Sequence, residues 1–87
     1  MKTTLKERKH KISLIEAYLR QWFQPFEAKV EHSCMPFGIQ FRAFRGNQYL
    51  AFSLAFNDLD YIPLDHLKQF VFGKLSDYEN INRTTQN

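Results

Sequence analysis

Apolar residues at Ile12, Ile15, Leu19, Trp22 and Phe26 recur at alternating spacings of three and four, which places them on one stripe of an amphipathic helix. Two capping boxes compete for its start, Thr4-Leu5-Lys6-Glu7 and Ser13-Leu14-Ile15-Glu16. In each, a hydroxyl and the following Glu satisfy free amides reciprocally. The pattern predicts a firm helix over 13–23, with residues 1–12 a basic arm or an extension of that helix. Leu5 continues the stripe backwards only if Arg8 fills a gap. Pro25 ends the helix, because the residue before a proline is pushed out of the helical region.

The period then changes to two. Phe26, Ala28, Val30 and His32 alternate with Glu27, Lys29, Glu31 and Ser33, predicting a strand over 26–33 with one buried face. Cys34-Met35-Pro36-Phe37-Gly38 has the residues of a connector. Ile39, Phe41 and Ala43 alternate with Gln40, Arg42 and Phe44, and Leu50, Phe52, Leu54 and Phe56 with Tyr49, Ala51, Ser53 and Ala55. Gly46-Asn47 between these two runs is a two-residue hairpin signal. Closing the hairpin there pairs Ala43 with Leu50, Phe41 with Phe52 and Ile39 with Leu54 on one face. The other face pairs Phe44 with Tyr49, Arg42 with Ala51 and Gln40 with Ser53. A slip of one residue in either strand destroys both matches.

Asn57–Tyr61 has the polarity of a loop, and Pro63 suits the first turn of a helix. Leu64, Leu67, Val71 and Leu75 mark that helix's buried face, with Phe70 beside it and Gly73 weakening its interior. Residues 79–87 are polar and aperiodic, and are expected to form a tail. The resulting order is α+β, αβββα: a three-stranded antiparallel sheet with two helices packed on one face. Residues 13–78 form the single domain. Phe41, Leu50, Phe52, Leu54 and Phe56 form its central layer, and the opposite face is open.

Composition adds two constraints. The chain is 44% hydrophobic and 24% charged, ordinary for a globular domain and incompatible with overall disorder. Aromatic residues reach 16%, more than two helices on a small sheet can cover, so some rings are expected at the surface as interface anchors. Cys34 is the single cysteine, so no intramolecular disulfide staples the fold. No run approaches the roughly 18 apolar residues of a membrane span. A cytoplasmic setting is expected. Asn82-Arg83-Thr84 matches a glycosylation sequon that this setting leaves unused. The net charge of +3 is uneven: residues 1–11 carry +4 and the remainder −1.

Candidate chemistry is sparse. His32 and Cys34 stand two apart on one side of a strand, but a structural zinc site needs four ligands, and His10 and His66 lie elsewhere. Cys34 is expected to be a buried thiol. A nucleophile needs a base and an orienting group, and no signature surrounds Cys34. The helix dipole accounts for Asp58, Asp60 and Asp65 at a helix entry. The three glycines are scattered and form no phosphate loop. The expectation is a non-enzyme with no catalytic residue, metal or cofactor, and no small-molecule substrate.

Two kinds of binding remain. Lys2, Lys6, Arg8, Lys9 and Lys11, with Arg42 and Arg45, offer contacts to nucleic acid, and the element order is similar to that of double-stranded RNA-binding domains. The Gly-rich strand turn and the Lys-rich start of the last helix found in those domains are absent, and Pro63-Leu64-Asp65-His66 stands at that start instead. Alternatively, Lys29, Gln40, Arg42, Phe44, Tyr49 and Ala51 form a partner-binding face, rings supplying area and small residues close approach. Strand 26–33 or 48–56 is a further candidate, as an exposed edge able to pair across a two-fold axis or with a partner.

The step Trp22-Phe23-Gln24-Pro25-Phe26-Glu27-Ala28 between the first helix and first strand resembles that of a family of small bacterial proteins of unknown function, with Phe23, Pro25 and Phe26 matching a Phe-x-Pro-aliphatic step. The family's cysteines after that step are missing here. The resemblance covers residues 12–78 in outline and implies a bacterial or phage setting, with no activity attached. The expected role is protein binding, as a homodimer or as a regulator or inhibitor of a larger protein.

Overall fold

The amphipathic stripe folds into a helix longer than its periodicity predicts. In the computed structural model, which describes residues 5–24 and 27–85, helix α1 runs Leu5–Trp22. Its start lies well before the expected residue 13, so the basic arm is a helix extension from Leu5. Thr4, Pro25 and Phe26, invoked above for a cap, a stop and a stripe position, lie outside the described residues. Ile12, Ile15 and Leu19 are buried as the stripe requires.

Three strands follow: β1 (Lys29–Met35), β2 (Gly38–Arg45) and β3 (Gln48–Ala55). They form one antiparallel sheet in the order β1-β2-β3, with β2 central. The predicted β2–β3 register is present, including Phe41 with Phe52 and Phe44 with Tyr49. Gly46 takes φ of 58°, the only positive φ among the described residues, which is the pattern of a type II′ turn with glycine first. The first strand is shifted from the expected 26–33, because Pro36-Phe37 alone makes the turn. Met35 then faces Gly38, and Cys34 joins the ladder opposite Ile39. Cys34 is exposed at this edge, contrary to the buried thiol expected.

Beyond β3 the structure differs from the pattern. Phe56 leaves the sheet, and the supposed loop is helix α2 (Phe56–Tyr61). Pro63 precedes a 3₁₀ turn at Leu64–His66, so α3 begins at Leu67 and runs to Thr85. The expected tail over 79–87 is helical as far as Thr85; no proline or glycine after Gly73 stops it. The architecture is α+β, αβββα, with α2 and the 3₁₀ turn inserted before the last helix.

One sheet face carries the core. Ile39 and Phe41 of β2 and Leu50 and Leu54 of β3 pack with Ile12, Ile15 and Leu19 of α1, Leu59 of α2, and Leu67, Val71 and Leu75 of α3. The long helices also meet through rings, Trp22 edge-on to Phe72 at 5.3 Å. No helix among the described residues is long and apolar enough to cross a membrane.

Candidate protein-binding face and its frame

With the core on one side, strand alternation sends the other row outward. The ladder aligns Lys29, Phe44 and Tyr49 across all three strands, then Glu31, Arg42 and Ala51, then Ser33, Gln40 and Ser53. The six residues expected to bind a partner therefore share one face. Phe44 and Tyr49 lie 5.1 Å apart with their rings tilted by 46°, and Tyr49 keeps 52% of its surface exposed. The Arg42 guanidinium donates to Ser33 Oγ at 2.7 Å. Its Nε lies 3.7 Å from Glu31 Oε1, beyond hydrogen-bond reach, and this buried Nε finds no hydrogen-bond partner among the described residues. The head group is thus tied to the neighbouring strand by its terminal nitrogen.

The residues suggested for nucleic acid are not gathered. Lys6 and Lys9 are exposed on α1, on the core side of the sheet, whereas Arg42 is on the opposite face. Arg45 shares the parity of the inner row at the sheet's end. Lys2 lies outside the described residues.

Arg8 and Lys11 have internal roles that the pattern did not show. Arg8 binds Asp60 through both oxygens, Nε to Oδ1 at 3.1 Å and a terminal nitrogen to Oδ2 at 2.6 Å. Its guanidinium also sits 4.5 Å from the centre of the Phe56 ring. Lys11 is buried, and its Nζ donates to the carbonyls of Leu59 at 2.8 Å, Asp60 at 3.3 Å and Ile62 at 2.6 Å. These are carbonyls at the C-terminal end of α2, which a helix leaves unpaired and where a cation is favoured. One signal was available: Lys11 precedes Ile15 by four and Leu19 by eight residues, on the buried side of α1. Arg8 is the residue that fills the gap behind Ile12.

The Arg8–Asp60 pair has a pH signature. The hydrogen bond from Arg8 holds the Asp60 carboxyl below the usual aspartate range, and the same bond raises the Arg8 guanidinium. Because the folded-state value of Asp60 is depressed, the pair's contribution is complete above the ordinary aspartate value near pH 4. It is lost as pH falls through the depressed value. For a partly exposed bidentate pair it is about 1 kcal/mol. Asp60→Asn is expected to lower the neutral-pH melting midpoint by about 4–8 °C and to narrow its gap to wild type near pH 2. An unchanged gap in acid melts would show the pair to be idle.

Two open grooves flank β3 and meet at Ser53 and Leu54. The larger, about 550 Å³, runs between that strand and Tyr61, Ile62 and Phe70. The smaller, about 340 Å³, lies beside Met35, Pro36, Phe37 and Gly38. His32 Nδ1 is 3.3 Å from Glu16 Oε2, and among the described residues no three His, Cys, Asp or Glu side chains cluster to hold a metal. Comparison with family models, curated proteins and solved structures finds no match for this chain, so its function has to be read from this face and its frame.

Proposed function

We propose that the chain is a binding module without a catalytic step, a small regulator or inhibitor that receives a protein partner on the outer face of its sheet. The observation that supports this is the uncovered Phe44–Tyr49 pair, beside Ala51 and the Ser33-held guanidinium of Arg42. Tyrosine and arginine are enriched at interface hot spots, the ring because it buries a large area at low conformational cost and the guanidinium because it makes several directed hydrogen bonds. Arg42 is pre-ordered in the free protein, so less freedom is lost on contact. Small Ala51 lets a partner approach the rings closely.

Affinity capture from bacterial lysate, with and without nuclease and across a salt series, tests the reading. A protein retained by the wild type is expected to bind Tyr49→Ala at least about tenfold more weakly, with little salt dependence and an unchanged circular dichroism spectrum. Capture that survives both Tyr49→Ala and Phe44→Ala would sink the outer-face reading. Capture abolished by nuclease, falling steeply with salt and lost when the exposed Lys6 and Lys9 are both changed to Gln would favour nucleic acid instead.

A further inference from the structure

The two edges of the sheet are unlike. β1 carries Lys29, Glu31 and His32 along its length, the kind of charge that keeps an open edge from pairing. β3, Gln48–Ala55, is an eight-residue strand with no charged residue and no proline. Among the described residues, no backbone hydrogen bond from another element reaches its outer side.

The hairpin determines which groups that side presents. A two-residue loop makes Arg45 and Gln48 a hydrogen-bonded pair, and such pairs alternate along an antiparallel ladder. Leu50, Phe52 and Leu54 therefore bond to β2, while the N–H and C=O groups of Tyr49, Ala51, Ser53 and Ala55 point away from the sheet. This edge is complementary to itself. Turned antiparallel about an axis at Phe52, it places Tyr49 opposite Ala55 of the second copy, Leu50 opposite Leu54, Ala51 opposite Ser53, and Phe52 opposite Phe52. Large meets small on the outer face, apolar meets apolar on the inner face, and no charge faces a like charge.

We propose that β3 is a self-association edge, through which two copies join their three-stranded sheets into one continuous sheet in that register. The surroundings supply area for it. Phe37 and Tyr61 are 87% and 86% exposed and flank the two grooves that meet on β3. With Tyr49 they offer on the order of 450 Å² of exposed side chain per copy. A stable interface of standard size needs roughly 800 Å² per partner, so the rest has to come from the strand edge itself and the walls of the grooves beside it. The Phe41–Phe52 stack, 5.5 Å between ring centres, would continue across the axis. The inference does not rest on the outer-face reading, since it concerns the edge and is tested on the purified chain alone.

Light scattering after size exclusion, from about 1 μM to about 1 mM, is expected to show a concentration-dependent dimer. Ser53→Pro removes an outward N–H that β2 does not use, a position where an edge strand tolerates proline. It deletes that donor in both copies and is expected to raise the dimer dissociation constant at least about tenfold. Ala51→Glu and Ser53→Lys are each expected to weaken the dimer. The combination restores it, because the two introduced charges face each other across the axis. Should Ser53→Pro fail to fold, Ser53→Lys at this exposed position gives the same reading. A monomer at every concentration, or a dimer indifferent to folded Ser53→Pro or to Ser53→Lys, overturns the proposal.

Discussion

Lys11→Met is expected to destabilise the fold by about 2–4 kcal/mol and to lower the melting midpoint by at least about 10 °C. The methionine keeps the apolar stem in place but removes the ammonium from the carbonyls of Leu59, Asp60 and Ile62. The Leu59 carbonyl is bonded in a buried setting and the other two in partly buried ones, and a fully buried acceptor left without a donor costs about 1–3 kcal/mol. Relief from holding a buried charge offsets part of that loss, which is why the expected total is below three full penalties. The damage should concentrate in α2, whose six residues are too few for a helix to persist unaided. Hydrogen exchange is expected to show the Ile62 amide, bonded to the Asp58 carbonyl, exchanging much faster in the variant. Lys6→Met, at an exposed position of the same helix, serves as the control with little change. A loss under about 0.5 kcal/mol for Lys11→Met would show that water replaces the ammonium at little cost.

Gly38→Ala is expected to cost about 2–3 kcal/mol, measurable as a lower denaturant midpoint with an unchanged slope. A Cβ at Gly38 would stand 2.6 Å from the Leu54 carbonyl oxygen and 3.1 Å from the Ala55 Cα. Both are backbone atoms in the paired strand, so neither can rotate aside. The approach is close because the chain is tied at this corner: the Phe56 amide donates to the Phe37 carbonyl at 3.0 Å, just where Gly38 opens β2. Gly73 is the contrast, since a Cβ there would meet nothing within 4 Å. If Gly38→Ala matched wild type in stability, the β2–β3 pairing would have to be looser at this end than the structure has it.

These variants probe the features least visible in the sequence. The β2–β3 hairpin was legible because strand alternation and a two-residue turn are both local: once Gly46-Asn47 is the loop, every pair follows. The outer row of Lys29, Phe44 and Tyr49 came from the same alternation. The stripe of α1 was legible at Ile12, Ile15 and Leu19, whose spacing matches the helical repeat. Its first turns were not, because Arg8 and Lys11 look like solvated charges when only their own neighbourhood is considered. Cys34 was misread for a similar reason, since turn residues on its C-terminal side suggested a connector and its exposed edge position depends on where β1 begins.

Local patterning was enough for the fold class, the hairpin register and most of the core, since each depends on periodicities of two or 3.6 within one segment; Leu64, expected on a buried face, is instead exposed, and Leu59 of the supposed loop is buried. Tertiary structure decided the order of the sheet, the existence of α2, and the use of Arg8 and Lys11 as its clamps. Lys11 and the Leu59 carbonyl are 48 residues apart, and no local pattern announces such a partner. A polar segment becomes a helix here because a distant ammonium and a distant guanidinium satisfy its last carbonyls and its carboxylate. That gain exists only after the chain has closed.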